Sequence, residues 1–193
     1  ANRHNIGFMA VDAVAARYRF APFRGKFQGQ LSDGILAGRP VLLLKPMTYM
    51  NVSGQAVAAA ASFYKIPPAD ILVFHDEIDL AAGKVRVKTG GGHAGHNGLR
   101  SLHAHIGPDY RRVRLGVGRP QGKGEVADHV LDNFAKADKV WLEPLLDAIA
   151  DYVPLLADGD GETFMSKVAL ALRPPKPKRK SPNDADADGG AES

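Results

Sequence analysis

Short apolar runs suited to buried strands alternate along this chain with stretches of helical spacing, and that alternation restricts the fold more than any other feature. Val41-Leu42-Leu43-Leu44 and Ile71-Leu72-Val73-Phe74 have the length and composition of strands covered on both faces. Lys84-Val85-Arg86-Val87-Lys88 alternates basic and apolar residues as a half-exposed strand does. Residues 26–37 alternate well enough for a further strand, and Val113-Arg114-Leu115-Gly116-Val117 supplies another. Ile6, Met9, Ala10, Ala13 and Val14 keep helical spacing over residues 5–18. Ser53 to Tyr64 is an alanine-rich helix closed by Pro67-Pro68, and a short helix runs from near Asn97 to Ile106. Leu142, Leu145, Leu146, Ile149, Val153 and Leu156 mark a longer helix despite Pro144 and Pro154, and Asp160 caps a last one reaching about Leu172. The pattern predicts the α/β class, with one domain over residues 1–172. Its mixed β-sheet would be flanked by helices on both faces, because residues 26–45 read as a hairpin. Residues 173–193 are rich in Pro, Lys and Asp with almost nothing to bury, and are expected to form a disordered charged tail.

In such sheets, ligands bind beyond the carboxyl ends of the strands. Three strands here end in polar candidates. Lys45 leads to Met50-Asn51, Phe74 leads to His75-Asp76-Glu77-Ile78-Asp79, and Lys88 leads to Gly90-Gly91-Gly92-His93-Ala94-Gly95-His96-Asn97-Gly98. The glycines of the last segment admit backbone conformations closed to other residues and let a ligand approach the main chain. It has neither the G-x-x-x-x-G-K-[ST] nor the G-x-G-x-x-G spacing of nucleotide loops. Gly116-Val117-Gly118 with Gly122-Lys123-Gly124 fails the same tests and reads as a surface loop.

Asp76 stands directly after a buried strand, where a carboxylate can accept an imidazole N–H, fix its tautomer and stabilise its charged form. Its partner is open among His75, His93, His96 and His4, and spacing does not choose. His103, His105 and His129 read as ordinary helix-surface histidines. With no cysteine in the chain, thiolate nucleophiles, thiolate zinc sites and disulfides are excluded. No serine sits in a G-x-S-x-G elbow, and the histidines lack the helix-borne spacing of a metal site, so no metal is expected. What remains is a His–Asp pair activating water directly, with Asn side chains positioning or polarising a carbonyl.

The net charge is +4, and the tail holds five basic residues against four acidic ones, so most of the excess lies on the domain. Lys84, Arg86, Lys88, Arg100, Arg111, Arg112 and Arg114 cluster around the glycine loop, with Arg86 and Lys88 on one strand face, an arrangement suited to phosphates. Aromatic platforms are few, which favours backbone binding over base reading. No apolar run approaches the ~20 residues needed to cross a bilayer.

Four separated motifs carry a resemblance from residue 2 to about 172. They are Asn2-Arg3-His4-Asn5-Ile6-Gly7, Lys45-Pro46-Met47-Thr48-Tyr49-Met50-Asn51-Val52-Ser53-Gly54, His75-Asp76-Glu77-Ile78-Asp79-Leu80, and residues 90–98. Together they resemble bacterial-type peptidyl-tRNA hydrolases. The resemblance implies a monomeric cytoplasmic α/β enzyme of translation and ribosome rescue. It would cleave the ester between a nascent peptide and the 3′ ribose of tRNA without metal or cofactor. By matched position it implies that His4 is the general base, Asp76 its orienting carboxylate, and Asn97 the group that positions water and the tRNA end. Asn51 would bind the peptide carbonyl and help polarise the scissile one, Tyr49 and Met50 would shape the peptide groove, and His93 would belong to the loop wall. Arg86, Lys88 and Arg114 match a clamp on tRNA phosphates. A non-catalytic RNA-binding relative is the alternative, against which the joint presence of His4, Asp76, Asn51 and Asn97 argues. Members of the family generally open with an apolar strand, central to the sheet, and a G-L-G-N-P-G-x-x-Y segment. Both are absent ahead of Asn2, so the sequence is expected to be an N-terminally truncated form. A molecule beginning at Ala1 would be of low stability and weak activity.

Overall fold

A computed structural model of the chain describes residues 2–120 and 126–173. A 3-10 turn, Arg3–Asn5, runs directly into helix α1, Ile6–Arg17. Strands β1 (Arg24–Lys26), β2 (Gly29–Leu36) and β3 (Arg39–Pro46) form an antiparallel sheet in that order. The strand expected over residues 26–37 is therefore interrupted by a tight turn at Phe27 and Gln28, each with φ of +53°. No Asn-Gly pair announces this turn. Tertiary packing holds it instead, with the Phe27 ring against Phe63 and Tyr64 at 5.5 and 5.9 Å, and Lys26 Nζ 4.3 Å from the Phe63 centroid.

Helix α2, Ser53–Tyr64, follows a short 3-10 turn at Met50–Val52 and stops at Lys65, which is left-handed ahead of the two prolines. Strands β4 (Leu72–Glu77), β5 (Val85–Thr89) and β6 (Arg111–Gly116) form a second sheet of order β4-β6-β5, with β6 parallel to β4 and antiparallel to β5. Helix α3, Asn97–Ile106, links β5 to β6. Helix α4, Val126–Leu131, is too short to give a periodic signal and was not expected. Helices α5 (Lys139–Ala157) and α6 (Gly161–Ala171) complete the domain. α5 runs through both of its prolines with Leu142, Leu145, Ile149, Val153 and Leu156 buried on one side. Asp160 caps α6 as expected, its carboxylate accepting from Thr163 N at 3.0 Å.

The α/β class with helices on both faces follows from strand alternation. Leu72, Phe74, Val113 and Leu115 face the core shared with α1, α5 and α6, while Ile71 and Val73 pack with Leu99, Leu102 and Tyr110 beneath α2 and α3. Where one sheet was expected, the strands form two, the second of them mixed. β3 and β4 are their facing edges, across a cavity of about 290 Å³ lined by residues including Val41, Leu43, Leu72, Phe74, Phe8 and Val57. α1 lies so close to β4 at Gly7 that a Cβ there would overlap the Phe74 carbonyl oxygen. That contact sets the start of α1, and hence His4, beside the end of β4.

Gly116 and Val117 are buried, and a side chain at Gly116 would overlap the Ala81 carbonyl, so this stretch is a packed crossing and not a surface loop. Gly122, Lys123 and Gly124 fall outside the described residues, as does the tail beyond residue 173. No described helix is long and apolar enough to cross a membrane.

Candidate active site

The carboxyl end of β4 places two polar side chains at the floor of the cavity, His75 and Asp76, both buried. Asp76 is only 3 % exposed, so its charge needs close partners. Two imidazoles supply them. His4 Nδ1 lies 2.8 Å and His96 Nε2 2.9 Å from the same oxygen, Asp76 Oδ1. Burial alone would raise the carboxyl pKa. The hydrogen bonds from His4 and then His96 overcome that effect and hold it well below the usual carboxylate range.

The two histidines are not equivalent. His96 is the N-cap of α3, and its Nδ1 accepts the backbone N–H groups of Gly98 and Leu99 at 3.1 and 3.3 Å. An acceptor at Nδ1 requires a lone pair there, so the ring proton sits on Nε2 and is donated to Asp76. His96 is thereby a neutral imidazole with both nitrogens engaged. His4 donates through Nδ1 and keeps Nε2 without a protein partner among the described residues. Of the imidazoles left open by the sequence, His4 and His96 both reach the Asp76 carboxylate, and only His4 has a nitrogen left to take up a proton.

His75 turns its Nδ1–H onto the Asp76 main-chain oxygen at 2.8 Å and leaves Nε2 buried without a partner. Burial lowers its pKa to about 4. It therefore stays neutral and meets His96 edge-on with ring centroids 5.2 Å apart. His93 is not bonded to Asp76. Its Nδ1 accepts from Gly95 N at 3.2 Å, and its ring stands against His103 in the loop wall.

Arg3 anchors the turn that carries His4. Its backbone N–H donates to Asp132 O at 3.1 Å, and its guanidinium reaches His129 O at 3.2 Å and Asp138 Oδ2 at 3.4 Å. Across the site, Met50 packs over Gly98, where a Cβ would come within 2.7 Å of the Met50 sulfur. That approach brings the Met50–Val52 turn, with Asn51, against the head of α3, with Asn97. Both amides are exposed, and Tyr49 beside them is 87 % exposed.

Strand register puts Arg86 opposite Arg114 and Lys88 opposite Arg112, all on one face of β5 and β6. The expected phosphate-binding trio Arg86, Lys88 and Arg114 is thus brought together. Arg114 is not fully free, since its Nε donates to Glu77 Oε2 at 3.1 Å. Two arginines counted with the basic cluster in the sequence serve the fold instead. Arg111 bonds Leu156 O at 2.8 Å, and Arg112 is buried beneath the glycine loop.

His4, Asp76 and His96 present donor atoms within 4.8 Å of one another, a spacing compatible with a metal ion. The chemistry of His96 does not suit one. Its Nε2 carries the proton that its role as helix cap imposes, so ligation would require an imidazolate or a broken cap. Among the described residues no serine hydroxyl is hydrogen-bonded to an imidazole. Ser53 Oγ donates to Met50 O at 2.9 Å, and Ser101 Oγ accepts from Gly54 N at 2.9 Å. The sequence left His96 open as one possible partner of Asp76 without giving it a role as helix cap, and it gave Arg3 no role at the site. A histidine cap lacks the usual Ser, Thr, Asp or Asn signature, and the anchor of Arg3 lies far along the chain.

An α/β domain whose buried carboxylate buttresses one imidazole with a free nitrogen, flanked by amides and a basic strand face, has the groups that a hydrolase needs to activate water. The comparisons make the assignment specific. A family model for peptidyl-tRNA hydrolase matches residues 1–179. The chain is 60 % identical to the peptidyl-tRNA hydrolase of Cereibacter sphaeroides over 178 residues, covering 92 % of this chain and 79 % of that protein. Its counterpart in Parvibaculum lavamentivorans is 55 % identical over 188 residues, covering 97 % and 92 %. A crystal structure of peptidyl-tRNA hydrolase from Acinetobacter baumannii superposes with a TM-score of 0.81 at 41 % identity, covering 86 % of each chain. The chain belongs to the peptidyl-tRNA hydrolase family.

Proposed function

We propose that this enzyme hydrolyses the ester joining a nascent peptide to the 3′ ribose of tRNA, with His4 as the general base. The observation that carries the mechanism is the unequal sharing of Asp76, in which His96 is locked neutral and His4 keeps Nε2 free. Water held at His4 Nε2 gives up its proton as it attacks the ester carbonyl, and Asp76 stabilises the imidazolium that forms. His4 then returns the proton to the leaving ribose oxygen, so proton uptake and release balance within one turnover. Asn97 positions the water and the tRNA end, while Asn51 donates to the peptide carbonyl and helps to polarise the scissile one. Tyr49 and Met50 form the peptide groove with His93 in the loop wall.

Arg86, Lys88 and Arg114 bind tRNA phosphates from the adjacent face. Fixed positive charge of this kind grips the backbone without reading bases. The roles assigned here fall on side chains of one chain and use no cofactor, and the reading is of a monomer working in the cytoplasm on peptidyl-tRNA. A non-catalytic RNA-binding role is disfavoured, since the relatives reported above are named hydrolases. The test is single-turnover cleavage of peptidyl-tRNA by His4→Ala. A folded variant that cleaves as fast as the parent would overturn the assignment of the base.

A further inference from the structure

Arg112 lies on β6 with only 3 % of its surface exposed, directly beneath the glycine loop. Its Nη1 donates to Gly92 O at 2.7 Å, and its Nη2 donates to Gly91 O and to His103 Nε2, the latter at 2.9 Å. The Tyr110 ring covers the guanidinium at 4.9 Å from its carbon. Among the described residues no carboxylate pairs with Arg112, so carbonyl dipoles, a neutral imidazole and a ring face solvate the charge. A guanidinium so placed presents its donors in a fixed fork, which makes it a rigid template for whatever it binds.

What it binds is the middle of the loop, where the Gly91 and Gly92 carbonyls accept no other hydrogen bond among the described residues. Gly90, Gly91 and Gly95 take φ of +65°, +90° and +80°, and Ala94 takes +47°. Side chains hold such a path poorly, and glycine gains much freedom when released. The ends of the loop are tied by Gly90 N to Tyr110 O at 3.1 Å and by His96 N to His93 O at 2.8 Å. The carbonyls of Gly91 and Gly92 between them rest on Arg112. The same loop leads without a break into His96 and Asn97.

We propose that Arg112 is a positioning residue for the reaction. Its fork fixes the path of Gly91 and Gly92, and through it the placement of His96 and Asn97 at the head of α3. His103 takes part as the third acceptor, which requires an unprotonated Nε2. This rests on the reading of Asn97 and His96 as parts of the active site.

Arg112→Lys keeps the charge and loses the fork. Its kcat on peptidyl-tRNA should fall roughly ten- to hundredfold with KM nearly unchanged, because the reacting groups are misplaced while tRNA binding is intact. Amide hydrogen exchange over residues 90–97 should speed up about tenfold or more while the strands stay protected. In an Asn97→Ala background the same substitution should cost less than about twofold in kcat, since the two act on one element. A rise in KM with a shallower salt dependence would make Arg112 a phosphate contact and overturn the proposal. So would lost stability with kcat preserved, or exchange in the loop no faster than in the parent. If Arg112→Lys fails to fold, His103→Ala, which removes one acceptor from the fork, is measured in the same way and should shift kcat and loop exchange in the same direction. If Asn97→Ala alone leaves kcat unchanged, the reading of Asn97 fails. The exchange measurement then decides the role of Arg112 by itself.

Discussion

His4 and His96 share one oxygen of Asp76, at 2.8 and 2.9 Å, yet only His4 retains a ring nitrogen free to take a proton. Replacement should therefore separate them. His4→Ala is expected to lose about 10²–10⁴-fold in kcat, the usual contribution of a general base. His96→Asn keeps a residue that can cap α3, and should retain far more activity with a stability loss of about 1 kcal/mol or less. The sharper measurement is the pH dependence of single-turnover cleavage. The acid limb, where the base becomes protonated, should persist in His96→Asn and vanish in His4→Ala. Loss of that limb in both variants would sink the distinction.

A second expectation concerns stability in acid. Burial lowers the pKa of His75 from 6.5 to about 4. Between those values the unfolded chain binds a proton that the folded chain refuses, so unfolding becomes easier as pH falls from about 6.5 to about 4. The full gap corresponds to an upper limit of roughly 3 kcal/mol. Asp76 acts in a separate window. Its depressed pKa gives stability that is complete above the unfolded carboxyl value of about 3.9 and is lost only below it. His75→Asn preserves a donor for the Asp76 carbonyl and removes the titration. Its denaturant midpoint should be flatter than that of the parent from pH 6.5 to 4, and equal slopes would show that His75 does not titrate there.

Much of this architecture was legible because it rests on local pattern. The period of α1, the apolar runs of β3 and β4, and the Asp160 cap depend on residues close in sequence. The turn at Phe27 and Gln28 was not legible, because aromatic rings from α2 hold it and no turn residues announce it. The division of the strands into two sheets depends on which edges meet, and alternation does not encode that. In the site, the position of Asp76 at the end of a buried strand indicated that it could meet an imidazole. Choosing His4 over its rivals needed either the family resemblance or the cap geometry of His96. Arg112 looked like its basic neighbours because a sequence shows charge and conceals which guanidinium faces inward.

Glu77 gives a test of the basic face. It holds Arg114 Nε at 3.1 Å, and a carboxylate there opposes an approaching phosphate. Glu77→Gln should tighten tRNA binding modestly and steepen its salt dependence, since Arg114 becomes a full positive charge. Lys88→Ala should act in the opposite sense, weakening binding and reducing the slope of log K against log salt by about one. Neither change should alter cleavage at saturating tRNA by more than about twofold. Identical salt slopes in parent, Glu77→Gln and Lys88→Ala would exclude this face from tRNA binding.

The edges of β3 and β4 face each other across an apolar cavity of about 290 Å³ that reaches His4, Asp76 and His96 at one end. Each edge carries main-chain donors and acceptors on the side away from its sheet partner, and Val41, Leu43, Leu72 and Phe74 offer apolar faces to match. One added strand would join the two sheets into a single one. A short apolar strand joined ahead of Ala1 should raise the melting temperature by roughly 2–4 °C for each kcal/mol it contributes. Amides at Leu42–Leu44 and Leu72–Phe74 should become more protected from exchange. Cleavage should also quicken, because the floor of the active site would stiffen along with the cavity. A control extension with alternate residues changed to Lys has the same length and cannot be buried, so it should do none of this. Equal protection of both edges with the two extensions would show that no strand enters between β3 and β4.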